Sequence, residues 1–530
     1  MSGYEGTGTL VRLALRRDRI MMPVWLLIFV ATAAGSAGAT VSLYPTEQAR
    51  AAAAQTSNAS PALIALYGRI YDPTNPGGIA MLKMTSLGAL FVGVLMVITV
   101  VRHSRAEEES GRLELLSAGV VGRRAPLTAA LIVAGGSSVA LGVLTALGLI
   151  GAGLPAVGSI AFGLAWACTG IAFAAVAAIT AQLTESTRAA TGTAITVLGA
   201  AYVVRAVSDA GNGLHWLAWL SPMGWVAQIR PFGGNRWWVA LIIVAFAVLA
   251  VGAAYAVRAG RDLGAGVLRP RLGHARAGVT LRSPLALAWR LQRGSLYGWL
   301  AGFVILGFIM GGVASGVGGL IDTPAAKDLI TKLGGVSDLT NAFLATEIGM
   351  LGVVAAAYGI QAASRLRAEE TALRAEPLLA GAVTRPRLLV SHIVIALVGT
   401  TVLMVGFGLA SGLSYGASTG RIGHAVGQML GAGIAQLPAI WVLTAIVVAL
   451  FGLAPRFVVG GWVALVVFLI LGQFGDVLGL NKAVMNVSPF AHTPRLPGGE
   501  FSAAPVLWLC VVAIALGIAG FVGFRRRDVG

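Results

Sequence analysis

The residues best suited to ionic chemistry gather in two short runs. "RAEEESGRLELLSAGVVGR" (105–123) carries four glutamates and three arginines, and "RAEETALRAEPLLAGAVTR" (367–385) matches it at 11 of 19 positions. The offset is 262 residues (367 − 105). Glu107, Glu108 and Glu114 recur as Glu369, Glu370 and Glu376, Arg112 recurs as Arg374, and Leu116 recurs as Leu378. A glutamate four residues before an arginine is the favoured order for a helical side-chain pair, so Glu108 with Arg112 and Glu370 with Arg374 are expected to pair. Ser104 and Glu107 have the spacing of a capping box. Gly119 and Gly381 follow the paired leucines and predict a left-handed stop. Glutamates contribute little to membrane topology, so acids at matched places in both copies point to a contact with another element. The apolar Leu116 and Leu378 would seat each helix there.

Other chemistry is sparse. None of the four lysines (Lys83, Lys327, Lys332, Lys482) is preceded by glycine and followed by serine or threonine, so the chain has no phosphate-cradling loop. The two cysteines, Cys168 and Cys510, fall in apolar segments and support neither a disulfide framework nor a metal site. No cofactor is expected on the chain itself.

The elements that must position the charged runs are apolar. The 530 residues are 57% hydrophobic and 11% charged, with a mean hydropathy of +0.83, against about 25% charged in a soluble protein. From Arg124 to Glu185 the one ionisable side chain between is Cys168. A bilayer crossing takes about 20 apolar residues. Spans are predicted near 20–41, 82–102, 126–150, 157–183, 189–207 and 237–258, then 296–316, 345–364, 388–414, 425–452, 457–477 and 504–524. This predicts an all-α polytopic membrane protein with twelve transmembrane helices in two sets of six.

The sets share landmarks. "LALRRDR" (13–19) before Trp25-Leu26 matches "LAWRLQR" (287–293) before Trp299-Leu300; Ser221-Pro222 matches Ser488-Pro489; Arg261-Asp262 matches Arg527-Asp528. A tandem duplication with an even number of spans gives two parallel repeats. The expected division is 1–268, a basic linker at 269–282, and 283–530. The segment 214–238, with five tryptophans, two prolines and a Gly-Gly pair, reads either as an interfacial anchor or as a re-entrant hairpin.

The net charge of +17 follows the membrane and not a nucleic acid. With the N-terminus in the cytoplasm, cytoplasmic segments hold 27 basic and 12 acidic residues (+15), and outer segments hold 11 and 9 (+2). Both termini, the linker and both charged helices are then cytoplasmic, and all four lysines lie outside.

The run Glu109, Gly111, Leu113, Glu114, Leu115, Leu116, Val121, Arg123 resembles the cytoplasmic coupling helix of type-2 (subfamily G-like) ABC exporter permeases. Over its full length, the chain is similar to actinobacterial twelve-span permeases described as exporters of polyketide antibiotics, the tetronasin-type multidrug systems; "RDLGAG" (261–266) belongs to the same resemblance. It implies a permease in the bacterial plasma membrane that extrudes hydrophobic or amphiphilic compounds. It implies energy from a separate ATP-binding cassette subunit, two copies per permease, with ATP and Mg on that subunit. It also assigns coupling to Glu107, Glu108, Gly111, Arg112, Glu114, Leu116, Glu369, Glu370, Arg374, Glu376 and Leu378. The second copy departs from the pattern: Leu373 stands where the first has glycine, and Pro377 where it has leucine.

The rival class is an ion-coupled secondary transporter with two six-span repeats, which needs ionisable residues within the spans; His392, Glu347 and Asp476 are the exceptions near span ends. A nearly uncharged interior suits apolar cargo, and Phe91, Tyr202, Tyr358 and Trp462 are the candidates to line its path.

Overall fold

The computed structural model describes residues 3–117, 119, 121–211, 213–262, 264–268, 278, 281–317, 336–474 and 481–527. Among these residues the secondary structure is helical, with no strand. The chain divides into two units, Met1–Leu272 and Gly273–Gly530. The expected linker lies largely outside the described residues, as does Asp476.

Eleven described helices are long and apolar enough to cross a membrane. In the first unit they are Met21–Leu43, Met84–Glu109, Ala125–Gly151, Ala156–Leu183, Thr187–Ala210 and Val239–Ala259. In the second they are Pro284–Ala314, Thr340–Thr371, Arg385–Thr419, Ile422–Leu453 and Ala503–Arg526. The remaining expected span, 457–477, is a shorter apolar helix, Gly460–Gly472. It opens from a 3-10 turn at Pro455–Phe457 and passes into a π turn at Ile470–Phe474.

Burial separates central helices from peripheral ones. In the first unit 83% of the apolar window of Ala156–Leu183 is buried, against 11% for Met21–Leu43; in the second Ile422–Leu453 reaches 78% and Ala503–Arg526 22%. The central helix of the first unit is rich in alanine and glycine, which lets backbones approach closely. A Cβ at Gly142 would lie 2.5 Å from the Gly163 carbonyl oxygen, so the third and fourth spans touch there through backbone. Around that contact pack Phe162, Trp166, Phe173 and Met96.

The second-unit helices overrun their predicted ends, for a local reason. In the first unit Thr7–Arg17 is a separate amphipathic helix that ends at Asp18. The Asp18 carboxylate is buried against His103 Nε2 (2.6 Å) and Arg102 (3.1 Å). The place 274 residues later is Gln292, and there the helix runs unbroken from Pro284.

The segment 214–238 places exposed tryptophans on either side of a buried short helix. Trp216, Trp219, Trp237 and Trp238 are exposed, and Trp219 stacks on Trp238 at 5.6 Å. The short helix Pro222–Gln228 between them is buried. Ser221 Oγ accepts from the Gly224 N–H and donates to the Ala201 carbonyl, 20 residues upstream. Ser488 Oγ donates to the Phe468 carbonyl, also 20 residues upstream.

Candidate functional site

Each charged run forms a bent elbow at the end of the second span of its unit. In the first, Arg105–Glu109 and Arg112–Ser117 are separate helices joined at Gly111, whose φ is +70°. The Gly111 N–H donates to the Glu108 carbonyl at 3.0 Å. In the second, Leu373 takes the same left-handed conformation at φ +56°, its N–H donates to the Glu370 carbonyl at 2.9 Å, and Glu376–Leu379 follows. The elbow therefore bends at Gly111 and Leu373. Gly381 has no left-handed φ among the described backbone, and the residues flanking Gly119 are outside the described set.

The expected side-chain pairs are replaced by others. Ser104 Oγ donates to the Val100 carbonyl and makes no cap bond, so there is no capping box. Glu108 turns away from Arg112 and is buried beneath the elbow, where three guanidinium groups converge on it. These are Arg105 (2.5 Å), Arg258 (3.1 Å) and Arg261 (2.8 Å). Three cations on one carboxylate leave an excess of buried positive charge, which oxygen dipoles offset. Arg105 donates to the Gly264 and Ala265 carbonyls, Arg258 to the Arg123 carbonyl, and Arg261 to Gln182 Oε1 and the Ala265 carbonyl. Arg123 closes the ring by donating to the Arg261 carbonyl at 2.5 Å. "RAEEE" and "RDLGAG" are thus two sides of one latch.

The second unit has the same latch with different walls. Glu370 pairs with Arg367 (2.9 Å) and Arg527 (2.8 Å), not with Arg374, and Arg385 donates to the Arg527 carbonyl. Where Gln182 Oε1 accepts from Arg261 in the first unit, aromatic rings support Arg527. Its guanidinium lies 4.7 Å from the Phe451 ring centre and 5.2 Å from that of Phe524, a cation–π arrangement.

The remaining predicted residues are distributed as follows. Glu107 pairs with Arg17 and lies 3.9 Å from Arg112. Glu369 pairs with Arg365 and Arg374, both at 2.6 Å. Glu109 accepts from the Thr187 N–H at 2.7 Å and so holds the start of the fifth span. Arg112, Glu114, Arg374 and Glu376 are exposed. Leu378 packs half-buried against the second core, and the Leu116 side chain lies outside the described set. The leucine seen to seat the first elbow is Leu113, 3% exposed; Ala375 takes that place in the second. Beside Leu113 the cavity under the elbow is about 40 Å³, while beside Ala375 it is about 230 Å³.

The four residues proposed for a cargo path are not brought together within either unit. Tyr202 donates to the Leu66 carbonyl at 2.5 Å, with its ring 4.5 Å from the Arg205 guanidinium, and so ties the 61–67 helix to the fifth span. Tyr358 is buried in the second core, edge-on to Trp299. Phe91 and Trp462 are exposed on the outside of their helices.

Sequence reasoning missed Arg258 and Gln182, named Leu113 only as part of the coupling-helix pattern, and gave Arg123, Arg261, Arg385 and Arg527 no partner. The repeated Arg-Asp after each last span was the available signal, but ion pairs 150 or more residues apart have no local signature.

Apolar helices of spanning length, each unit carrying a latched charged elbow, define an all-α polytopic membrane protein. The chain belongs to the family of multidrug efflux system permeases. It is 46% identical over 530 residues to the multidrug efflux system permease protein Rv1217c of Mycobacterium tuberculosis (strain ATCC 25618 / H37Rv), a match that covers 100% of this chain and 96% of that protein. The family described as multidrug efflux system permease Rv1217c, C-terminal domain, matches residues 281–525.

Proposed function

We propose that the chain is the permease subunit of an ATP-driven ABC exporter that extrudes hydrophobic or amphiphilic compounds. A separate ATP-binding subunit, two copies per permease, binds ATP and Mg and pushes on the two elbows. The observation that carries this reading is the latched elbow itself. A force-transmitting element must be rigid toward its own span and presentable toward its partner. Glu108 and Glu370 are buried in ion pairs that fix each elbow to the last helix of its unit. Glu114 and Glu376 are exposed. Coupling contacts to the ATPase therefore belong to Glu114, Glu376, Arg112 and Arg374, while Glu108 and Glu370 act as positioning residues.

Relatedness to a multidrug efflux permease supports the cargo class. The polyketide-antibiotic subtype follows from the sequence resemblance alone. In the orientation the basic residues predict, both elbows and both termini face the cytoplasm of a bacterial cell. The secondary-transport alternative has little to work with. Away from the elbows, the described spans hold two acids, Asp209, which is paired with Arg205, and Glu347. The test is transport by the chain reconstituted with and without the ATP-binding subunit. ATP-dependent efflux that survives Glu347→Gln and collapse of the ion gradient supports the exporter.

A further inference from the structure

The two units differ most at the end remote from the elbows. "RPFGG" (230–234) in the first unit and "RLPGG" (495–499) in the second both follow the Ser-Pro turn, beginning nine and seven residues after its serine (230 − 221 and 495 − 488). In the first unit Phe232 is buried and seals the interior. Its ring lies 2.2 Å from where a Cβ on Gly77 would be and 2.1 Å from where one on Gly158 would be, so both glycines exist to admit it. The space left beside it is about 30 Å³. In the second unit the plug position is Pro497, and a cavity of about 660 Å³ opens instead.

The lining of this cavity is selective. Lys482 and Arg495 stand exposed at its mouth, and among the described residues that line it there is no aspartate or glutamate. Glu347 and Glu500, the nearest acids along the chain, do not line it. At its floor is Gln436, 3% exposed, at the break between the helices Ile422–Ala435 and Leu437–Leu453, just before Pro438. Gln436 Oε1 has no hydrogen-bond partner, although a buried amide oxygen without one is costly. Asn341 and Thr346 line the wall from the eighth span, with Phe490 as an apolar face. A cationic mouth, a partly apolar wall and an unsatisfied acceptor at the floor have a defined chemical complement.

We propose that the second unit binds an anionic amphiphile in this cavity, with the acid group at Lys482 and Arg495 and a hydrogen-bond donor of its body against Gln436. At the matching place among the described residues of the first unit, Phe232 fills the space. An anionic lipid headgroup and a free organic anion share this chemistry. That the bound amphiphile is cargo rests on the exporter reading, whereas binding itself does not.

The test uses the full chain in phosphatidylcholine nanodiscs, with Cys168→Ala, Cys510→Ala and Ala345→Cys, since Ala345 lines the cavity. The rate of maleimide labelling at position 345 is measured against anilinonaphthalene sulfonate and against N-phenylnaphthylamine, the same body without the acid. The sulfonate is expected to protect at about tenfold lower concentration, as an added charge-assisted hydrogen bond would give. Lys482→Ala with Arg495→Ala, both exposed and tolerable to the fold, should erase that difference, and Gln436→Leu should weaken both compounds. Competition by phosphatidylglycerol in the disc would identify a lipid source, and its absence a soluble one; either supports the site. Equal protection by the two compounds in the parent, or a preference that survives the double substitution, would overturn it. Lost binding with intact ATP-driven transport counts against this site, and intact binding without ATP-driven transport counts against the exporter reading.

Discussion

Glu108 and Glu370 do the same task with unequal margins. Glu108 is enclosed by three guanidinium groups whose side chains are at most 5% exposed. Removing one partner of a buried charge cluster costs about 3–5 kcal/mol, because the others remain uncompensated. Glu108→Gln should therefore lower the unfolding temperature of the detergent-purified chain sharply. Glu370→Gln should cost less, because Arg367 and Arg527 are 31% and 17% exposed and water can take over part of the solvation. Equal losses in a thermal-shift measurement would contradict the latch geometry. Leu373 offers the opposite sign. A left-handed conformation costs a non-glycine residue about 1–2 kcal/mol, and Leu373 is exposed enough that little packing is lost. Leu373→Gly should stabilise the second unit by about 1 kcal/mol after the unfolded-state entropy of glycine is offset. Gly111→Ala should destabilise the first unit by a similar amount, read in the same assay.

At the scale of elements, the elbow is a helix that is bent and clamped from beneath. Much of this was legible in the sequence. The repeat of 19 residues located both elbows, and hydropathy located the apolar helices to within a few residues at most ends. The miss at Pro284 came from a short amphipathic stretch that reads as separate from its span yet continues into it, because Gln292 makes no break where Asp18 does. The partners of Glu108 and Glu370 were not legible. An i,i+4 arginine was available to each, but burial favours a guanidinium with further support, Arg261 on the Ala265 carbonyl and Gln182 and Arg527 on two aromatic rings, each across more than 150 residues. The exposed and buried acids of one elbow should behave oppositely. Glu114→Ala with Glu376→Ala should leave expression and thermal stability unchanged while removing substrate-stimulated ATP hydrolysis by the complex. Of the single changes, Glu114→Ala should hurt more, because the second elbow already carries Leu373 and Pro377.

At the scale of the molecule, function depends on orientation and energy source. If both elbows face the cytoplasm, Arg112→Cys should resist an impermeant maleimide in intact cells and react in inverted vesicles. Ala52→Cys, exposed on the helix Glu47–Ala59, should show the reverse. The most direct test of the exporter itself is drug uptake into inside-out proteoliposomes holding this chain with its ATP-binding subunit. Uptake should require ATP and both proteins, should persist when ion gradients are collapsed, and should fall to background in the Glu114→Ala, Glu376→Ala double variant. Gradient-driven uptake by this chain alone, or undiminished ATP-driven uptake by the double variant, would contradict it.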